Sequence, residues 1–379
     1  MSDKNQQVKF TYQGPWAGVD TSLPETDIQP NSSPFISNCI LRTGELRSRM
    51  PFTPLFAAPN DGTAVRSLTC MLDVNAVVHT IAISQLAIYQ LSANWPDMLR
   101  RGTNPWLVLA NFSSAQADSP FALAILQAQL YFTNGGNAIF NWNGLTNTIQ
   151  NIASLADGTV FGAFYLMELN SKLVAAYISE TKNGVTNSFP YRVRWTASAQ
   201  PTAWDVTTNI AAGFTDMFDV SDIITGMLPI GRTGYIYRTN GITEMIPNSS
   251  GGGFDFDHLW ASDRGIGNIL PQSIAGFGPM NIFVSGDEIY QITPSGLNGI
   301  GKVSLNAIKS DLANAAGTVM GTIVPYMAQD YVYTVYMLII PFDDQSAAMW
   351  LYDIKEQSWT RWRTTNKTFT CKPRYVYLQ

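Results

Sequence analysis

Ile289-Tyr290-Gln291-Ile292 follows the turn Gly286-Asp287, which itself follows the apolar run Ile282-Phe283-Val284. The same order of apolar run, polar turn and Ile/Leu–aromatic–polar–apolar segment recurs about six times. The clearest segments begin at Ile88, Ile139, Ile289 and Leu351, and two looser ones begin at Val193 and Thr243. Successive segments start 46 to 62 residues apart. A period of roughly 40 to 60 residues built from strands is typical of β-propellers, so the sequence predicts an all-β propeller of about six blades.

Several of the predicted strands are apolar on both faces. Examples are Leu130-Tyr131-Phe132, Ile282-Phe283-Val284 and Tyr336-Met337-Leu338-Ile339-Ile340. A strand with one face in water would alternate apolar and polar residues. The blades of a propeller stack face against face, which buries both sides of their inner strands. The pattern therefore favours a propeller over a single-layer sheet.

Turn residues divide the apolar runs into hairpins. We predict one hairpin from residues 77–83 and 86–91, and a second in which 122–132 forms one long strand. Asn240-Gly241 is a strong signal for a further hairpin. Residues 305–315 are predicted as a short helix, although their apolar spacing is poor.

The first 60 residues differ in composition from the rest of the chain. They contain seven prolines separated by polar turns. We interpret residues 1–60 as an extended arm with at most one or two strands, within 35–46, and residues 61–379 as the propeller body. The arm either wraps this body or reaches a neighbouring molecule, and the sequence leaves both possibilities open.

Charge is sparse along the whole chain. Charged residues make up 13% of the 379 residues, whereas globular proteins contain about 25%. Because the centres of interfaces are depleted in charge, we expect repeated subunits to cover much of the surface. The alternative is that a large protein exposes less surface per residue. The net charge of −5 lacks the basic footprint of a protein that binds nucleic acid tightly.

The three cysteines, Cys39, Cys70 and Cys371, are widely spaced and belong to no metal-binding or disulfide pattern. The polar first residues lack the apolar core of a signal peptide. The longest apolar stretch, around 335–340, is too short to span a bilayer. We therefore expect a reduced protein that is made in the cytoplasm and has no membrane segment.

Few residues suggest chemistry. His79 lies in an apolar strand, which predicts a core residue with satisfied hydrogen bonds. His258 follows Asp255 and Asp257, and a histidine near carboxylates can serve as a base or a metal ligand. However, the sequence contains no nucleophile motif of the Gly-x-Ser-x-Gly type. We do not expect an enzyme.

Three further patterns fall short of a site. Residues 296–302 match the Gly-x4-Gly-Lys part of a phosphate loop, but Val303 replaces the required Ser or Thr, which favours a glycine-rich turn. The spacing of Asp255, Asp257 and Asp263 matches no known calcium loop. Paired carboxylates near the axis could serve a glycosidase, and the candidates are Asp219, Asp222, Glu244, Asp287 and Glu288. We therefore predict no catalytic, cofactor-binding or metal site.

Three stretches carry a family resemblance. They are the arm from Gly14-Pro15-Trp16-Ala17-Gly18-Val19-Asp20-Thr21 to Gly44-Glu45-Leu46-Arg47-Ser48-Arg49, the segment Tyr191-Arg192-Val193-Arg194-Trp195-Thr196-Ala197 with Pro201 and Trp204, and the region from Gly226-Met227-Leu228-Pro229 to Gly286-Asp287-Glu288-Ile289-Tyr290. Together they resemble the β-propeller tail hub and tail nozzle proteins of short-tailed bacteriophages, a group that includes the packaged-DNA-stabilisation hub protein. The family usually continues the arm with Arg-x-Gly, where this chain has Met50-Pro51.

The resemblance implies a virion protein that forms an oligomeric ring, often a hexamer, around the portal axis. Such a ring seals the DNA exit or continues the tail tube, next to the portal or adaptor. Duplex DNA would pass without specific binding. Two other functions remain open, namely a glycan-binding or glycan-degrading propeller on the tail and a cellular scaffold propeller.

Overall fold

The computed structural model describes residues 18–24, 27–28, 31–42, 45–48, 59, 61–94, 96, 98, 103–112, 116, 119–136, 138–146, 148–218, 222–248, 252–260, 265–328, 331–364 and 372–374. Six successive antiparallel sheets, each built on four consecutive strands, form a six-bladed β-propeller. The predicted fold is therefore confirmed. In each blade the first strand lies nearest the axis and the fourth lies at the outer edge.

The strands of the arm and of the first three blades have the following bounds. The arm contains β1 (Gly18–Val19), β2 (Ser32–Ser33), β3 (Cys39–Arg42) and β4 (Glu45–Ser48). Blade 1 contains β5 (Ser67–Leu72), β6 (Val78–Ile83), β7 (Ala87–Leu91) and β8 (Trp106–Asn111). Blade 2 contains β9 (Ala122–Leu126), β10 (Gln129–Thr133), β11 (Phe140–Trp142) and β12 (Gln150–Asn151). Blade 3 contains β13 (Val160–Leu169), β14 (Lys172–Lys182), β15 (Val185–Trp195) and β16 (Gly213–Asp216).

The remaining blades follow in the same order. Blade 4 contains β17 (Ile224–Ile230), β18 (Thr233–Arg238), β19 (Ile242–Pro247) and β20 (Phe254–Trp260). Blade 5 contains β21 (Ala275–Phe277), β22 (Met280–Val284), β23 (Ile289–Thr293) and β24 (Gly296–Gly299). Helix α1 (Leu305–Ala313) leads to blade 6, which contains β25 (Met320–Ala328), β26 (Tyr331–Pro341), β27 (Ala347–Asp353) and β28 (Ser358–Thr364). The last strand is β29 (Lys372–Arg374).

The sequence repeat corresponds to one structural position. All six segments belong to the third strand of a blade, with the segment at Ile139 beginning one residue before its strand. The third strand is flanked by strands on both sides and by blades on both faces. It therefore needs apolar residues at positions that an exposed strand would fill with polar ones.

The prediction for residues 122–132 was wrong. This run forms two strands, β9 and β10, joined by Gln127 and Ala128 with φ of 53° and 57°. Positive φ at both central residues matches the twist of a tight hairpin, where Asn-Gly is the usual signal. Gln127 and Ala128 do not match this signal, so the sequence does not predict the turn. The predicted hairpin at Asn240-Gly241 and the helix within 305–315 are both present.

Most of the core lies between neighbouring blades. Trp142 of blade 2 joins Ile81 and Ile88 of blade 1 in one buried cluster. Likewise, Tyr336 of blade 6 packs with Ile282 of blade 5. Burying both faces of each sheet removes a large apolar area from water, which is the dominant stabilising contribution.

The described parts of the arm and the last described strand pack at different places on the propeller. The arm lies against β28 of blade 6, where Ser37 forms a parallel bridge with Arg361. At Gly18 (φ 92°) a Cβ atom would lie 2.8 Å from the carbonyl oxygen of Trp359, so this approach requires glycine. At the other end, β29 pairs in parallel with β5, the inner strand of blade 1. Strand β29 therefore links blade 1 to blade 6, whereas the arm binds blade 6 and the segment before α1.

The arm is more structured than predicted. Strands β3 and β4 form a hairpin that overlaps the predicted region, but β1 and β2 form an additional short parallel pair. Two-residue strands carry no periodicity, so no sequence pattern could show them. In the described part of the chain, no helix has the length and hydropathy needed to cross a membrane.

Candidate functional site

A small pocket, the axial pocket, lies among the inner strands of the propeller. Its walls come from the inner parts of blades 2 to 5, and its lining residues are Phe121, Ala122, Phe164, Tyr165, Leu166, Gly226, Met227, Leu228, Pro271, Gln272 and Ile274. Burial raises the pKa of Tyr165, which keeps its hydroxyl protonated. A volume of about 40 Å³ holds only a few water molecules. The pocket is therefore far too small for a nucleic acid.

A backbone irregularity fixes one wall of the axial pocket. Tyr177 has a φ of 54° in the middle of β14, where the register with β15 shifts between Ala176 and Ile178. This left-handed conformation costs a non-glycine residue roughly 1 kcal/mol or more. The Tyr177 ring lies 4.6 Å from the ring of Phe164, centroid to centroid. The bulge thus holds Phe164 in the pocket wall, and no sequence signal identifies it.

The C-terminal strand also lies at the axis. Strand β29 adds to the inner edge of β5 in parallel register, with Lys372 opposite Ser67 and Arg374 opposite Thr69. The same strand approaches β25 of blade 6. Strand β29 therefore lies on the axial side of blades 1 and 6 and narrows the space between their inner strands.

His79 lies in a closed hydrogen-bond network rather than in a cleft. The Gln90 amide donates to His79 Nδ1 over 2.8 Å, so Nε2 carries the proton and donates to Asp73 Oδ2 over 3.0 Å. The second oxygen of Asp73 accepts the backbone N–H groups of Asn75 and Val77. These interactions satisfy the buried polar atoms and tie the turn between β5 and β6 to the blade.

The histidine–aspartate group around His258 lies on β20, the outer strand of blade 4. His258 Nδ1 lies 3.0 Å from Thr243 Oγ1 and 3.2 Å from Arg238 Nη2. Asp255 accepts a hydrogen bond from the Asn248 amide over 2.8 Å. Asp263 lies outside the described residues. In the part of the chain that is described, no three His, Cys, Asp or Glu residues are arranged to hold a metal ion.

The stretch that partly matches a phosphate loop is a strand. Gly296–Gly299 forms β24 and pairs with β23, and the turns lie on either side of it, at 294–295 and 302–304. The backbone N–H of Lys302 donates to the Glu288 carboxylate over 2.9 Å. The backbone of this segment is hydrogen-bonded to β23 and to the Glu288 carboxylate. It therefore does not form the open nest of N–H groups that binds a phosphate.

The candidate carboxylates lie in structural positions. Asp222 accepts the backbone N–H of Asn240 over 3.0 Å. Asp287 accepts the hydroxyl of Tyr290 over 2.8 Å. Glu244 is on β19, the third strand of blade 4, and hydrogen-bonds Tyr235. Asp219 lies outside the described residues. None of the candidates is among the residues that line the axial pocket.

The outer part of blade 3 holds a charged cluster. Arg192 binds Asp216 through two hydrogen bonds of 2.7 and 2.8 Å and also contacts Glu180 over 3.0 Å. Arg194 binds the same Glu180 oxygen over 2.8 Å. Both guanidinium groups face the ring of Phe214 at 4.8 and 5.0 Å. The charges are paired, and the aromatic ring forms the outer surface of the cluster.

Comparison with known proteins adds little beyond the architecture. No protein-family model matches the chain, and no curated protein matches it in sequence. Among solved structures, it is similar to U3-55K, with a TM-score of 0.45, 8% identity and coverage of 83% of this chain and 86% of that chain. It is also similar to apo AztD from Citrobacter koseri, with a TM-score of 0.37, 9% identity and coverage of 80% and 75%.

Proposed function

We propose that this chain is a structural protein of a bacteriophage tail and forms a hub or nozzle ring below the portal or adaptor. The observation that carries the proposal is a set of large apolar side chains on the propeller rim. Ile210 and Phe218, for example, are largely exposed. Soluble proteins rarely leave such groups uncovered in patches, and patches of this kind usually mark protein interfaces. The sparse charge of the chain supports the same interpretation.

The ring would pass DNA outside the propeller axis. The axial pocket is small, and β29 lies along the inner strand β5. A lumen between several propellers would carry the duplex instead. A net charge of −5 suits a surface that repels phosphate. We expect binding of free duplex to be weak and to fall steeply as salt increases.

The alternative is a glycan-binding or glycan-degrading propeller on the tail. Phe164 and Tyr165 supply aromatic groups to the axial pocket, but a glycosidase also needs two carboxylates at the scissile bond. The candidate carboxylates Asp222, Asp287 and Glu288 accept structural hydrogen bonds instead. Release of sugar from a host polysaccharide by the purified chain would favour this alternative.

The location of the chain tests the proposal directly. Particles purified from a culture that produces the chain should contain it, and gold-labelled antibody should mark one end of the tail. Particles that lack the chain, or label spread over the capsid, would contradict a hub or nozzle. The chain would be made in the host cytoplasm and incorporated during assembly.

A further inference from the structure

Five of the six blades have protected outer edges. Blade 2 ends in a two-residue polar strand, β12, and blade 4 ends in β20, which carries Asp255 and Asp257. Blade 5 ends in β24, which is four residues long and begins and ends in glycine. The arm covers the edge of blade 6 at Arg361. Short strands, charges and covering segments are the usual ways in which proteins prevent pairing between edges.

Blade 1 lacks this protection. Its edge strand β8 reads Trp-Leu-Val-Leu-Ala-Asn and contains no charged residue, proline or glycine. Leu107 and Val108 are 49% and 53% exposed. Among the described residues, β7 is the only strand that pairs with β8. A six-residue apolar strand at an open edge is a template for contact with another chain.

Blade 3 has a short edge strand, β16, that begins with Gly213 and ends with Asp216, but it carries a second surface of exposed apolar side chains. Phe214 on β16 and Phe218 just beyond it are 45% and 67% exposed, and Ile210 in the preceding loop is 90% exposed. The loop is held in place, because Asp205 accepts the backbone N–H of Thr207 over 2.8 Å and the Lys172 ammonium donates to the Ala211 carbonyl. A fixed loop that presents an isoleucine to water indicates a surface that a partner covers.

We propose that the blade 1 edge of one copy packs against the blade 3 edge of the next copy, and that this head-to-tail contact builds the ring. The inference rests on the proposed function and specifies its interface. In a six-bladed propeller, neighbouring blades are roughly 60° apart, so blades 1 and 3 face directions about 120° apart. A subunit meets its two neighbours at this same angle in a closed ring of six. Two different surfaces at that angle fit a heterologous ring rather than a two-fold dimer.

The two surfaces are also electrically compatible. Strand β8 brings no charge, and the nearest carboxylate on the blade 3 edge, Asp216, is already paired with Arg192. Burying the contact would therefore leave no new charge without a partner, which avoids the main penalty of desolvation. Leu107, Val108, Ile210, Phe214 and Phe218 would form its apolar centre.

Site-directed cross-linking of the full-length chain tests the contact. Natural cysteines are first replaced by serine, and Val108→Cys and Phe214→Cys are then made separately. A short bis-maleimide should link the two variants when they are mixed, and neither variant should dimerise efficiently alone. The double variant should give a ladder of linked species that ends at six subunits. Asn298→Cys on the exposed edge of blade 5 is the matched control and should give no link with either.

Each outcome separates the interface from the function. Links within the Val108→Cys sample alone would show a two-fold contact and overturn the proposal. A ring that forms without a 108–214 link would also overturn it, while leaving the proposed tail ring intact. In native mass spectra, Leu107→Asp or Ile210→Asp should reduce the ring population at least tenfold with an unchanged circular dichroism spectrum. A chain that stays monomeric at all concentrations would overturn both the interface and the ring, whereas a ring-forming chain that is absent from tails would contradict the proposed function and leave the interface intact.

Discussion

The indole Nε1–H of Trp350 donates a hydrogen bond to the Asp311 carboxylate over 2.7 Å. The same carboxylate accepts two hydrogen bonds from Arg361, at 2.7 and 2.9 Å. Asp311 lies on helix α1, whereas Trp350 and Arg361 lie on β27 and β28 of blade 6. One largely buried carboxylate therefore fastens the helix between blades 5 and 6 to the blade that supports the arm.

Replacing Asp311 tests this link. Asp311→Ala would leave Arg361 without its ion pair and the Trp350 N–H without an acceptor, which should lower the free energy of unfolding by about 3 kcal/mol. Lys182→Ala is the control, because its ion pair with Asp157 is exposed and should be worth less than about 1 kcal/mol. Guanidinium unfolding of both variants measures the difference. Equal losses would show that the Asp311 network does not stabilise the fold.

Asp73 should make stability depend on pH. The pKa of Asp73 lies below its usual value because the His79 side chain and the backbone N–H of Val77 donate hydrogen bonds to the carboxylate. A carboxyl group whose pKa is lower in the folded state stabilises the fold at pH values above its unfolded-state pKa of about 3.9. This stabilisation is lost as the pH falls through the folded-state pKa. Asp73→Asn should therefore be less stable than the native chain at neutral pH. The difference in unfolding free energy between the variant and the native chain should shrink as the pH falls below about 4. Urea unfolding at several pH values measures this difference, and a difference that does not change with pH would contradict the interpretation.

The arm should stabilise the propeller without being needed to fold it. Val19 and Ile36 are buried, and the Trp362 indole donates to the Cys39 carbonyl over 2.9 Å. Deletion of residues 1–50 should preserve a strand-rich circular dichroism spectrum, lower the thermal midpoint and impair incorporation into particles. Trp362→Phe removes this indole donor and also leaves a cavity at a buried site, so it should cost more than the roughly 1 kcal/mol of a single hydrogen bond. Loss of the strand signal on deletion would show that the arm belongs to the folding unit.

The thiols give a test of redox state. Cys39 and Cys70 are both free and half-buried, and Cys371 lies outside the described residues. All three cysteines of the chain should react with a thiol reagent after denaturation without reductant. Recovery of a single thiol would reveal a disulfide and contradict synthesis in a reducing cytoplasm.

The architecture was predictable because the third strand of a blade experiences the same environment six times. That environment selects Ile or Leu followed by an aromatic residue, so the repeat at Ile88, Ile289 and Leu351 fixes the fold and the number of blades. Turns with an Asn-Gly signal, such as Asn240-Gly241, were found in place. The Gln127-Ala128 turn was missed because its positive φ values come from tertiary pairing rather than from local preference.

Contacts between distant parts of the chain were not predictable. Nothing in a local pattern indicates that β29 joins β5 or that Ser37 meets Arg361. The same limit applied to the candidate site, since spacing could not show where Asp222 or Glu288 would point. The open edge at β8 could have been suspected from its uncharged sequence, but only the sheet order shows that it is an edge.

Electron cryo-microscopy of the purified full-length chain tests the proposed assembly most directly. Class averages should show six propellers around an open lumen, with blade 1 of each copy facing blade 3 of the next and no propeller axis wide enough for duplex DNA. Class averages that contain only isolated propellers, at every protein concentration, would contradict the ring.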